Sequence, residues 1–316
     1  MTDKTPLSAF NIGLLLAIIG TGLFSLKSIF IKLAYAEGLD TDSVLMLRMA
    51  IALPIYLAVL VWLAKQKTAP ENLSSKWLII TFLGFIGYYL SSWFDLKGLE
   101  MISAQLERLT LFTYPIMVAL LGALFFKTPL TRKIIFSLVI TYAGLWIVFY
   151  KELSLEGDNV VLGTVLVALA ALSFSFYVLF GKREIRHMGS VWFTGLAMSI
   201  SSIFVLIHFS IFNDYADLNV TTMAWLWLIL LAVFSTVIPS FMISEAIHRI
   251  GPAQTGIVGS LGPIMTMGLA IWILNEPFTI WHAIGMLLVV GGVSFLSIRP
   301  KKKKSETNRP KSQQAC

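Results

Sequence analysis

The sequence is short of charge. Asp, Glu, Lys and Arg make up 13% of its 316 residues, about half the share usual in a soluble domain. It has one cysteine, Cys316, which excludes a disulfide framework and a cluster of metal-binding thiolates. The final Gln313-Gln314-Ala315-Cys316 is not a prenylation box. The four histidines, His187, His208, His248 and His282, form neither a His-Glu-x-x-His pair nor a Cys/His cluster. No G-x-x-x-x-G-K-S/T phosphate loop is present, so the chain carries no nucleotide-driven motor. Asp95 is the one aspartate deep in an apolar run, so the paired aspartates of an intramembrane protease are missing. These absences argue against an enzyme, and no cofactor or metal is expected.

What the chain has is apolar length. Hydrophobic residues make up 57% and mean hydropathy is +0.81. Apolar runs of roughly 20 residues recur, each long enough to cross a bilayer. In lipid they must be helical, because their backbone groups have to pair internally. The expected fold is an all-α polytopic membrane protein with ten spans: 12–35, 44–64, 77–98, 104–126, 132–150, 159–181, 190–212, 223–247, 253–274 and 280–298. The first run is too long for a signal sequence and reads as a retained helix. Turn signals separate the spans, among them Glu37-Gly38, Lys127-Thr128-Pro129, Glu156-Gly157-Asp158, Gly251-Pro252 and Asn275-Glu276-Pro277.

The net charge of +7 does not point to nucleic acid. Most of the basic residues lie in alternate loops (Lys65, Lys67, Lys76; Lys127, Arg132, Lys133; Lys182, Arg183, Arg186) and in the polar tail 299–316. The remaining loops are acidic: Glu37, Asp40, Asp42; Glu152, Glu156, Asp158; Asp214, Asp217; Glu276. The positive-inside rule then places both termini in the cytoplasm. The tail reads as disordered, and its Lys301–Lys304 run as an anchor to anionic headgroups.

The chain repeats. Pro115-Ile116-Met117 matches Pro263-Ile264-Met265, Trp77 matches Trp225 at the same offset, and Phe24-Ser25 matches Phe174-Ser175. Five spans is an odd number, so the second unit enters the membrane from the opposite side. The expected organisation is a repeat at 1–151, an inverted repeat at 157–298 and the basic tail 299–316. Inverted repeats supply a route to alternating access.

One stretch, Phe94–Pro115, concentrates Asp95, Lys97, Glu100, Glu107 and Arg108. Ionisable residues inside a membrane face a cavity or one another. Lys32, Arg48, Lys97, Glu100 and Arg249 lie near span ends and are expected to snorkel. Lys27, Asp95, Glu107, Arg108 and Glu245 lie deeper. Tyr88, Ser92 and Asp95 share one helical face, as do Glu107, Thr110, Leu111 and Tyr114. Thr236, Ser240, Ser244 and His248 make a third stripe. Such stripes either line a wet cavity or seal helix contacts. Asp95, Glu107 and Arg108 could also form a salt-bridged cluster. Pro115 and Pro263 interrupt corresponding spans and are the candidate hinges. Tyr88, Trp93, Tyr114, Phe174 and Tyr177 are the aromatic pocket candidates.

The helix 4 stretch SAQLERLTLFTYPIMVALLGALFF, its partner AQTGIVGSLGPIMTMGLAIWILNEPFT and the two five-span halves resemble the EamA-type transporters of the drug/metabolite transporter superfamily. Asn275-Glu276-Pro277 is similar to that family's turn between spans 9 and 10, whereas Lys127-Thr128-Pro129 lacks the glutamate. The resemblance implies a basket of spans 1–4 and 6–9 around a cavity, with spans 5 and 10 peripheral. It also implies export of amino acids or amphipathic metabolites across a bacterial inner membrane, or import of a vitamin or nucleoside-like compound.

The expected solute site comprises Lys27, Tyr88, Ser92, Asp95, Glu107, Arg108, Tyr114, Tyr177, Ser240 and Glu245. Lys27 and Arg108 would meet a carboxylate, and Asp95 or Glu107 an amine or a coupling proton. The expected partners are a small-molecule solute and the lipid bilayer, with a homodimer admissible and no nucleic acid. The remaining class is an intramembrane enzyme or a non-transporting scaffold.

Overall fold

A computed structural model describes residues 6–66, 70, 73–127, 129–156 and 159–297. Lys4, Lys67, Thr128, Gly157, Asp158 and the tail from 299 lie outside the described residues, as do the side chains of His248 and Pro252. The described chain is helical, with no strand among the described residues. In order, the helices are α1 (Pro6–Ser25), α2 (Lys27–Ala36), α3 (Thr41–Lys65), α4 (Leu73–Gly84), a π-helix (Phe85–Leu90), α5 (Ser91–Leu99), α6 (Ala104–Leu111) and α7 (Tyr114–Phe126). They continue with α8 (Arg132–Glu156), α9 (Asn159–Met188), α10 (Ser190–Phe212), α11 (Thr222–Ala232), a second π-helix (Val233–Val237), α12 (Ile238–Gly259), α13 (Leu261–Leu274) and α14 (Ile280–Ser297).

Nine helices among the described residues are long and apolar enough to cross a membrane, and a tenth apolar helix, Ile280–Phe295, is shorter. The sixth span reaches Met188 rather than 181, carrying Lys182, Arg183 and Arg186 on the same helix. Gly251-Pro252, expected as a turn, is assigned within α12, while the apolar spans on either side stop at Ile247 and resume at Gln254.

The first span is broken where the sequence suggested continuity. Ser25 ends α1 and Lys27 begins α2. Ser25 Oγ donates to Thr21 O at 2.8 Å, while Thr266 Oγ1 donates to Ser25 O at 3.1 Å. A side chain inserted into the backbone ladder kinks a helix in this way.

The halves correspond in detail. The π-helices start 148 residues apart, at Phe85 and Val233. Spans 4 and 9 break at Phe112-Thr113 and at Ser260, also 148 apart, three residues before Pro115 and Pro263. Both spans end on a left-handed residue at the same offset, Lys127 (φ 52°) and Asn275 (φ 54°). Ser25 Oγ donates to Gly262 O at 3.2 Å, and Ser175 Oγ donates to Tyr114 O at 3.1 Å. The first bond ties span 1 to span 9; the second ties span 6 to span 4.

Packing follows the same rule. α1 lies on α12 as α5 lies on α9, and α3 pairs with α10, α6 with α13 and α8 with α14. α8 and α14 approach backbone to backbone. A Cβ on Gly144 would fall 2.7 Å from Gly285 O, and one on Gly285 would fall 2.7 Å from Gly144 O. Small residues allow such contact between membrane helices, where dispersion replaces the hydrophobic effect as the driving force.

Candidate functional site

The break at Leu26 aims Lys27 at the two carboxylates of the charged stretch. Its ammonium is ion-paired with Asp95 and lies 3.7 Å from Glu107 Oε1. Ser28 Oγ donates to Glu107 Oε2 at 2.6 Å. Asp95 is 3% exposed and Glu107 0%. This trio joins spans 1, 3 and 4. Removing water from a carboxylate costs several kcal/mol, and a shared cation offsets part of that cost. Lys27 therefore meets the protein's own carboxylates, and the salt-bridged alternative for Asp95 and Glu107 describes the geometry, with Lys27 rather than Arg108 as the cation.

Arg108 forms no direct ion pair with either carboxylate, although its charge acts on Glu107. A guanidinium nitrogen lies 3.0 Å from where a Cβ on Gly262 would be, so the glycine makes room for it. Its Nε has no hydrogen-bond partner. Arg48, expected to snorkel, is instead 3% exposed, and its Nε is also without a partner. Depth explains the difference: Arg48 lies two turns into α3, on a face covered by neighbouring helices, so its side chain does not reach water.

The aromatic candidates form a second group. Tyr88 packs on Tyr177 with ring centroids 4.9 Å apart and on Phe174 at 6.3 Å. Phe174 packs in turn on Tyr114 at 5.2 Å. The π-helix at Phe85–Leu90 brings Tyr88 to this position. On α5, Ser91 and Asp95 are four residues apart and share a face. Ser91, not Ser92, is the buried serine on α5, and Ser91 Oγ donates to Ala170 O at 2.9 Å. The expected Tyr88–Ser92–Asp95 face is thus corrected to one that carries Ser91 with Asp95. Trp93 leaves the pocket set, since its Nε1 donates to Asp42 Oδ1 at 2.8 Å.

Span 8 uses its hydroxyls to seal contacts. Ser240 Oγ and Tyr56 Oη are 3.1 Å apart, and Ser244 Oγ and Thr194 Oγ1 are 3.2 Å apart. Thr236 Oγ1 reaches Leu231 O at 2.9 Å inside the second π-helix. Glu245 is not drawn into the charged trio. It pairs with Arg249 at 2.6 Å, with about a third of each side chain exposed. Pro115 and Pro263 lie just after the breaks, where their missing N–H groups leave the carbonyls of Leu111 and Gly259 without their usual helical donors.

Beyond the trio, one end of the bundle is laced by carboxylates. Glu100 accepts from Thr41 N at 2.7 Å and Thr41 Oγ1 at 2.5 Å, and pairs with Lys97 at 2.7 Å. Glu152 accepts from Ser103 N at 3.3 Å and from its hydroxyl. Glu276 reaches from the second half to the first: Oε1 accepts from Ala104 N at 2.7 Å and Oε2 from Gln105 N at 3.3 Å. A carboxylate on free N–H groups at a helix start satisfies them and complements the helix dipole. Burial pushes the Glu276 carboxyl above the usual carboxylate range; those N–H bonds and the Lys32 ammonium oppose the shift without cancelling it. The sequence singled out the Asn275-Glu276-Pro277 turn but not this partner.

A helical membrane protein built of two corresponding halves, each with a broken span, and with a buried charged trio in the first, has the build of a membrane transporter. The model of the EamA-like transporter family matches the chain twice, at residues 11–150 and 161–298. The chain belongs to that family, and is a membrane transporter of the EamA type within the drug/metabolite transporter superfamily. An uncharacterized transporter, YcbK of Bacillus subtilis (strain 168), is 26% identical over 306 residues, spanning 92% of this chain and 95% of that protein. An uncharacterized transporter of Archaeoglobus fulgidus is 25% identical over 271 residues, 84% of this chain and 90% of that one. A solved crystal structure shares the fold with a TM-score of 0.63 at 16% identity, over 92% of this chain and 95% of its own.

Proposed function

We propose that the protein is a secondary transporter of the bacterial inner membrane that exports a small organic metabolite, an amino acid or a related zwitterionic or amphipathic compound, by alternating access. Repeats 1–151 and 157–298 lie inverted across ten crossings, and both termini face the cytoplasm. The observation that carries this reading is the pair of breaks at Phe112-Thr113 and Ser260, set against the buried Lys27–Asp95–Glu107 trio. Broken spans at corresponding positions are the places where a transporter opens one side and closes the other. In this topology the carboxylate-laced end faces outward, and the bonds from Glu276 to α6 support reading that end as closed. Lys27, Asp95 and Glu107 exchange partners as a solute or proton enters. Tyr88, Tyr114 and Tyr177 pack on the solute, and Arg108, Ser92, Ser240 and Glu245 complete the residues to be tested.

The test is untargeted metabolite profiling of cells with and without the protein, inside and in the medium. Export predicts a compound depleted inside and enriched outside on expression. Enrichment inside would instead favour import of a vitamin or nucleoside-like metabolite. No difference in any metabolite under induced expression would count against transport.

A further inference from the structure

Three cations, Lys27, Arg48 and Arg108, act on two buried carboxylates, Asp95 and Glu107. Lys27 sits between both carboxylates, which leaves two guanidiniums. Neither forms an ion pair with a described carboxylate, and each has an Nε without a hydrogen-bond partner. Arg48 is the deeper of the two at 3% exposure. Its electrostatic neighbours are Asp95, Tyr56 and Tyr35. Asp95 is held by Lys27, Tyr35 donates to Leu96 O at 2.9 Å, and Tyr56 is bonded with Ser240 at 3.1 Å. A buried guanidinium without its own anion is expensive, and its planar fork matches a carboxylate by two parallel bonds.

We propose that Arg48 is the anion anchor of the transport site, and that the solute is a small organic acid bearing one net negative charge. Such a solute meets Arg48 and leaves the pairing of Lys27 with Asp95 and Glu107 undisturbed. A zwitterion does not, because its ammonium would have to displace Lys27 from Asp95 or Glu107. The proposal rests on the reading of the chain as a transporter and narrows its solute from a zwitterion to a monoanion. It also gives the acid group to Arg48, which the sequence placed among snorkelling residues.

The experiment uses one scaffold in three charge states: phenylacetate, phenylalanine and phenylethylammonium. Each is titrated against the purified full-length protein in detergent at constant ionic strength, with the shift in thermal midpoint as the readout. The expected result is binding of phenylacetate at least tenfold tighter than phenylalanine, and none of phenylethylammonium. Arg48→Gln should weaken phenylacetate binding at least tenfold, and Arg48→Lys by less. If Arg48→Gln does not fold, the order of the three probes on the unaltered protein and the partial loss in Arg48→Lys still decide. Equal binding of the three, binding of none, or full binding by Arg48→Gln would overturn the proposal. Uptake assays in proteoliposomes then separate the two readings. Arg48-dependent binding of phenylacetate without uptake upholds the anchor and removes the transporter reading. Uptake of all three probes regardless of charge upholds transport and removes the anchor.

Discussion

The two ends of the bundle are built differently. At one end, acidic side chains tie the halves together: Glu276 to the α6 N-terminus, Glu37 to Thr221 at 2.7 Å, and Asp42 to Asn213 at 3.5 Å. At the other, Lys76 pairs with Glu184 across the halves at 2.9 Å. Backbone repeat and side-chain repeat have thus diverged. The breaks, π-helices and serine clasps occur twice, whereas the buried charges and the glutamate latch occur once. Lys27 and Tyr177 hold equivalent places, two residues after Ser25 and Ser175, and one is a cation where the other is a packed ring. The duplicated scaffold thus carries its charged trio and its glutamate cap in one place only.

The contrast can be broken most strongly at Lys27. Lys27→Met leaves Asp95 and Glu107 buried without their cation. It should cost about 3–5 kcal/mol of stability and abolish transport. The double variant Lys27→Met with Asp95→Asn should recover part of the lost thermal stability, which a double-mutant cycle measures. Additive losses would mean that the two groups do not interact.

Glu276→Ala frees the N–H groups of Ala104 and Gln105 and should cost about 1–2 kcal/mol, loosening the acidic end while the basic end is unchanged. The same latch sets a pH dependence. Its buried carboxyl has a raised pKa, so the closed end binds a proton more readily than an open, solvated one. Closure is then strongest at low pH and weakens as pH rises through the raised value. Labelling of an Ala104→Cys probe should speed up over that range, and Glu276→Gln should flatten the profile.

Pro115→Ala and Pro263→Ala restore a backbone donor beside each break. They should slow transport several-fold with little effect on thermal stability. Similar slowing by the two changes would show that both breaks move. The smallest effect belongs to Glu245→Gln, which removes a half-exposed helical pair worth about 0.5 kcal/mol, and solute affinity should be unchanged.

The sequence shows the architecture better than the contacts. Runs of apolar residues report spans, and the Trp77/Trp225 and Pro115/Pro263 matches report the repeat, because both are properties of position along the chain. The π-helices at Phe85 and Val233 left no such mark. Gly87 lies within the first and Pro239 just beyond the second, but neither residue by itself distinguishes a π-turn from a bend. That Ser91 rather than Ser92 is buried reflects which side of α5 its neighbours cover. The break after Ser25 depends on Thr266, which lies 241 residues away. Asp95 and Glu107 stood out as charges in an apolar setting, but their pairing with Lys27 is a matter of tertiary packing. Arg48 was misread because distance from a helix end does not tell whether the intervening surface is covered. Glu276 was visible as part of a turn; its role as a cap required α6 beside it.

The most direct measurement labels single cysteines at the two ends, Ala104→Cys and Gln254→Cys, in a Cys316→Ser background with a membrane-impermeant maleimide. Inside-out and right-side-out vesicles distinguish the faces. The account predicts fast labelling of Gln254→Cys from the cytoplasmic face and protection of Ala104→Cys, which Glu276→Ala should relieve. Fast labelling of Ala104→Cys in the presence of Glu276, with Gln254→Cys protected, would contradict it.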